Sequence, residues 1–161
     1  MTTMIKGNEL RAIALGRGPV SKAVPTLSAN TFQLFTVTGG RVLITALWGV
    51  CTTSMTGANT VNLQTDPTAG DTVVVVTATD LGTTDTAAGT TIGVTGNIAD
   101  PATNGANFNT VFVKGGLALR DLVVTTGEVE SVVTGGGANG GITWYCCWVP
   151  LDDGAELVAA A

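Results

Sequence analysis

Short runs of alternating apolar and polar residues, each closed by Gly, Pro, Asn or Asp, recur along the chain from about residue 30 onward. This is the pattern of strands separated by tight turns. Phe32, Leu34 and Thr36 alternate with Gln33, Phe35 and Val37, and Gly39-Gly40 follows as a turn. The run from Arg41 to Cys51, RVLITALWGVC, is apolar on both faces. Such a run predicts a strand buried on both sides, or one covered by a neighbouring subunit. A buried helix is the competing assignment, but Ile44-Thr45, Trp48 and Val50 favour strand. Thr60 to Thr65 predicts a short strand stopped by Asp66-Pro67-Thr68-Ala69-Gly70. Thr72 to Thr77 and Thr91 to Thr95 predict two more, and residues 98–109 read as a polar loop. Thr110 to Lys114 and Leu117 to Thr125 predict a hairpin through Gly115-Gly116.

Glu128 to Thr134 and Ile142 to Val149 flank GGGANGG at positions 135–141, which predicts a hairpin with a long, flexible tip. In its second strand Ile142, Trp144, Cys146 and Trp148 share one face, and Thr143, Tyr145, Cys147 and Val149 the other. Pro150 ends that strand. The whole predicts an all-β fold of roughly eight to ten antiparallel strands, a β-sandwich or barrel with jelly roll as the leading topology. Residues 1–22 form a short extended N-terminal arm in this reading, and residues 23–161 a single β-sandwich domain. Ile5, Leu10, Ile13 and Leu15 permit one helical turn in the arm, which Gly16, Gly18 and Pro19 stop.

Charge sharpens this picture. Only 12% of the 161 residues are charged, against about 25% in an ordinary soluble domain. Thr, Ser, Asn and Gly take their place, which suits a subunit whose surface is partly covered in an assembly. The net charge of -5 argues against nucleic acid as a partner. It is unevenly spread: Lys6, Arg11, Arg17 and Lys22 against Glu9 make the arm +3, leaving -8 for the rest. Either the arm is a solvated terminus, or it lies extended on an acidic neighbour. That neighbour is another copy or a carboxylate-rich part of a partner. No secretory leader and no membrane helix are expected.

The residues for familiar chemistry are sparse. There is no histidine, which removes the commonest general base and the His-containing metal sites. Three cysteines, Cys51, Cys146 and Cys147, cannot build a four-thiolate zinc site; they read as small buried hydrophobes. No phosphate-binding loop is present. Glu128 and Glu130 share a strand face and are the one candidate acid–base or cation pair, against the plainer reading of a solvated face. Asp66, Asp71, Asp80, Asp85 and Asp100 sit in or near turns, where Asp caps backbone N–H groups; a calcium site between two such loops is the alternative. Trp48, Trp144, Trp148, Tyr145, Phe32 and Phe35 read as core or interface anchors, or as the lining of a sugar-binding groove.

Three segments carry a resemblance: GGRVLITALWGVCTT (39–53), NLQTDPTAGDTVVV (62–75) and WYCCWVPLDDGAELV (144–158). They resemble a group of small structural proteins of tailed bacteriophages, in which a Gly-Gly-Arg-Val-Leu strand precedes a "DPTAG"-like segment. In that group a late strand ends in Tyr/Trp-x-Pro-Leu-Asp-Asp-Gly. The cysteines and the GGGANGG segment depart from the pattern. The resemblance implies a non-enzymatic virion component, a decoration (cement) protein on the head surface, made in the host bacterial cytoplasm. It also implies the major capsid protein and further copies of itself, as a trimer, for partners. No cofactor, nucleic acid or membrane is expected. Lys6, Arg11, Arg17, Lys22, Trp48, Trp144 and Trp148 are the expected interface residues. The alternative is a tail- or fibre-associated receptor- or carbohydrate-binding module; a small carboxylate-dependent hydrolase is a third possibility.

Overall fold

A computed structural model of the chain describes residues 6–83, 85–93, 100–101, 103–104 and 122–161. One helix, α1 (Gly7–Leu15), precedes the strands. These are β1 (Arg17–Val24), β2 (Asn30–Thr38), β3 (Val42–Thr53), β4 (Thr60–Pro67), β5 (Val73–Asp80) and β6 (Thr91–Gly93). After them come β7 (Asp100–Pro101), β8 (Thr103–Asn104), β9 (Leu122–Val124), β10 (Gly127–Thr134), β11 (Gly141–Pro150) and β12 (Glu156–Ala159).

The strands form two sheets. The first runs β1-β11-β3-β6-β8, with β9 also on β3; the second runs β12-β2-β10-β4-β5-β7. All pairings are antiparallel except the short contact of β5 with β7. Taken in chain order, β1–β6, β10 and β11 are the eight strands of a jelly roll. The first, eighth, third and sixth make one sheet, and the second, seventh, fourth and fifth the other. The sandwich is not a closed barrel.

Alternation explains the core. Val42, Ile44, Leu47 and Cys51 of β3 and Ile142, Trp144, Cys146 and Trp148 of β11 face inward and are buried. Opposite them lie Leu34, Phe35, Val37, Leu63, Val129 and Leu157 of the second sheet. Along β3 the inward set changes phase because its register with β11 slips: Cys147 faces Ala46, and Trp148 faces Ile44. The extra residue, Thr45, is a β-bulge. Trp48 therefore points outward and is only partly buried, although the apolar run around it suggests burial.

Three expectations change. Residues 128–134 and 142–149 are not a hairpin: β10 and β11 belong to different sheets, and the glycine-rich segment crosses between them. Nor is that crossing a loose tip. Asn139 Oδ1 accepts the N–H groups of Thr56 and Gly57 at 3.0 and 3.1 Å, and Asn139 Nδ2 donates to Thr56 Oγ1 at 2.9 Å. Finally, the arm over residues 1–22 divides. Gly7–Leu15 is helical rather than extended, and the sheet begins at Arg17, so residues 17–22 belong to the β-domain. Pro19 is accommodated because β1 is an edge strand with a register break between Arg17 and Val20. The predicted hairpin over 110–125 lies outside the described residues apart from its last part, which contains β9.

Candidate functional site

The two outer faces of the sandwich differ in chemistry. On the second sheet the cross-strand rows are Val158–Thr36–Glu128–Asp66 and Gln33–Glu130–Gln64–Val74, followed by Thr31–Val132–Asn62. These rows carry three carboxylates, Glu128, Glu130 and Asp66, and no basic residue. Glu128 Oε2 accepts a hydrogen bond from Thr36 Oγ1 at 2.9 Å, and Glu130 Oε2 one from Gln64 Nε2 at 2.8 Å. Each of these two glutamates is thus tied to a neutral neighbour in its own cross-strand row, as on a polar structural face.

The outer face of the first sheet is built otherwise. Its rows are Val149–Leu43–Val123, Cys147–Ala46, Ser21–Tyr145–Trp48–Gly93 and Ala23–Thr143–Val50–Thr91. None of these residues is charged. At the centre the rings of Trp48 and Tyr145 stack, with centroids 5.3 Å apart and planes 12° from parallel. Both rings remain partly exposed. Charge depletion around an aromatic pair, rimmed by Ser and Thr, is the composition of a protein-binding surface.

The expected interface residues do not all meet there. Trp48 does. Trp144 and Trp148 are 1% and 3% exposed and belong to the core, so neither can touch a partner; their inward parity decides this. Arg17 lies over the Trp148 ring, 5.2 Å from its centroid, in a cation–π contact. Lys22 Nζ donates to the main-chain oxygens of Ala160 and Ala161 at 2.6 and 2.9 Å, joining the edge of one sheet to the end of the chain on the other. These two cations are engaged within their own domain. Lys6 stands on the exposed helical segment, and Arg11 lies in α1. The expectation of four free basic groups along one extended arm is corrected accordingly.

Leu43 is not among the expected interface residues, and Tyr145 reads from the sequence only as a core or interface anchor or groove lining, although both lie on the outer face. The signal was present: Thr143, Tyr145, Cys147 and Val149 share a parity opposite to the buried set. Which parity looks outward depends on the partner sheet.

A cleft of about 480 Å³ opens between the end of β1 and the first half of β2, lined by Lys22, Val24, Pro25, Phe32, Gln33 and Glu130 among others. It holds one carboxylate side chain and an already engaged ammonium, not two converging acidic side chains. The turn aspartates act locally. Asp80 is held down at about 2 by hydrogen bonds from the Thr83 hydroxyl and from the Gly82 and Thr83 N–H groups. Asp66 accepts from Thr72 Oγ1 at 2.9 Å. Among the described residues no cluster of three or more His, Cys, Asp or Glu is placed to hold a metal ion, and no helix is long and apolar enough to cross a membrane. Cys51, Cys146 and Cys147 are free and buried. Comparison with protein-family models, with curated proteins and with solved structures finds no match.

Proposed function

We propose that this protein is a non-enzymatic structural component of a tailed-phage virion. It decorates the head, and it attaches to the major capsid protein through the uncharged outer face of its first sheet. The observation that carries the reading is the asymmetry of the sandwich: among the described residues, one outer face is rich in carboxylates, while the cross-strand rows of the other have no charge and a stacked Trp48–Tyr145 pair. A face without charge gains little from bulk water and loses little on desolvation. The jelly-roll topology is compatible with this role, since it recurs in capsid and lectin domains, but a fold alone does not assign one. Many copies bound through modest contacts would reinforce the head by repetition.

The test is reconstitution on particles that lack the protein. Wild-type protein should saturate the head surface. Trp48→Ser should reduce occupancy at least about tenfold, the effect of losing a central aromatic contact. Glu128→Gln on the opposite face should leave it unchanged. Wild-type occupancy by Trp48→Ser would overturn the reading. So would binding of the wild type to cell-surface glycans but not to heads, which would favour the tail or fibre module.

A further inference from the structure

We propose that the end of the first sheet from which α1 emerges is a self-association surface. There α1 of one copy packs against the Val149–Leu43–Val123 row of a second copy of this chain. The proposal does not rest on attachment to a particle.

The helix lacks the support that helices of its length need. It has nine residues, and isolated helices shorter than about 12–15 residues are marginal in water. Its described side chains from Asn8 to Ala14 are all exposed. Leu10, Ile13 and Ala14 stand at the spacing of one helical stripe, with Leu10 59% and Ile13 72% exposed. Only the C-terminal end is fixed. The Thr45 hydroxyl donates to the Leu15 carbonyl, and Gly16 (φ +81°) lies so close to the Trp148 carbonyl and the Val149 side chain that a Cβ there would collide with both. The stripe therefore stands exposed beside the sheet, without cover from the described residues.

A matching surface lies where the helix leaves. Val149, Leu43 and Val123 form one cross-strand row on the outer face. Leu151 follows at the same end, its N–H bonded to the Arg41 carbonyl. Val123 and Leu151 are 52% and 46% exposed. With Leu10 and Ile13 they make four of the seven large exposed hydrophobic side chains among the described residues. Such clustering marks an interaction site.

The second copy is the occupant because both halves of the contact stand on this chain, at one end of it. A symmetric pair buries helix and row together, each copy supplying what the other lacks; a foreign partner would have to supply both complements. Charge agrees. Lys6, Glu9 and Arg11 leave the helical segment at +1, while at the sheet end Arg41 is paired with Asp152, leaving Asp153 at -1.

Sedimentation equilibrium of the full chain, without particles, tests this. The wild type should associate across the micromolar range. Leu10→Asp with Ile13→Asp should lower the association constant at least about tenfold. Val123→Asp should do the same while α1 keeps its sequence, and circular dichroism should show the sheets retained in both. Val74→Asp, on the outer face of the second sheet, should associate like the wild type. A wild type monomeric throughout the range would overturn the proposal. So would helix or row variants that associate normally, or a Val74→Asp as disruptive as Val123→Asp.

Discussion

Arg41 and Asp152 form the ion pair of the β3–β11 end: Arg41 Nη2 lies 2.7 Å from Asp152 Oδ1, and Arg41 Nε and N–H both donate to Oδ2. The Arg41 side chain and N–H hold the Asp152 carboxyl at about 2. Asp80 sits at about 2 through its turn hydrogen bonds. Both lie below the ordinary 3.8. A carboxylate lowered in the folded state adds stability that is full above its unfolded value and lost as pH falls through its folded one. Wild-type stability should therefore decline between about pH 4 and about pH 2. In the double variant Asp80→Asn with Asp152→Asn the decline should be smaller, as urea midpoints across that window will register. Burial pushes all three thiols upward, and Cys146 is raised further by the adjacent Cys147. A buried thiol held protonated is a poor nucleophile. The native protein should leave a thiol-disulfide reagent unreacted at pH 8 and titrate all three thiols once denatured; rapid reaction of the native state would contradict the buried placement.

Among the elements, β1 and the glycine-rich crossover make the most direct tests. Val20, Lys22 and Val24 of β1 pair with Cys146, Trp144 and Ile142 of β11. Deleting residues 1–15 should leave the sheets and a cooperative thermal transition, because only α1 is lost. Deleting residues 1–22 removes most of an edge strand and uncovers the buried face of β11. That protein should lose the cooperative transition, as circular dichroism and calorimetry of the two truncations will show. The crossover depends on Asn139, whose side chain joins three hydrogen bonds to Thr56 and Gly57. Its main-chain oxygen accepts from Asn59 Nδ2 at 2.8 Å. At about 0.5–1.5 kcal/mol per hydrogen bond, and with two N–H groups left unpaired, Asn139→Ala should cost about 2 kcal/mol in chemical denaturation. Gly135 (φ +134°) completes the tie, since any Cβ there would strike the Ala58 carbonyl.

For the molecule as a whole, the unequal faces predict how attachment responds to salt. With Arg17 on Trp148 and Lys22 on the chain end, two of the four basic groups of residues 1–22 are already engaged within the domain. An uncharged face owes little to Coulomb attraction. Occupancy on heads should therefore change less than about threefold between about 0.05 and about 0.5 M salt, although the Debye length shortens severalfold. A steep loss of occupancy with salt would return the weight to the basic arm.

Strand positions were legible in the chain because a period of two is a local property: it needs only neighbouring residues and a turn to end each run. The same holds for the fold class, the free cysteines and the parity that separates Trp144 and Trp148 from Tyr145. Strand partners were not legible. In a jelly roll, successive strands mostly enter opposite sheets, so the hairpin expected between β10 and β11 became a crossing, and β11 paired with β1 and β3 instead. Such pairings join residues between 88 and 131 positions apart, and no local pattern encodes them. The outward turn of Trp48 depended on a single bulge at Thr45, which shifts the phase of β3 against β11. Arg17 and Lys22 likewise looked like members of a free arm until the sheet placed an indole ring and the chain end beside them. Alternation sorts side chains into two sets; only the packing of one sheet on the other selects the set that faces a partner.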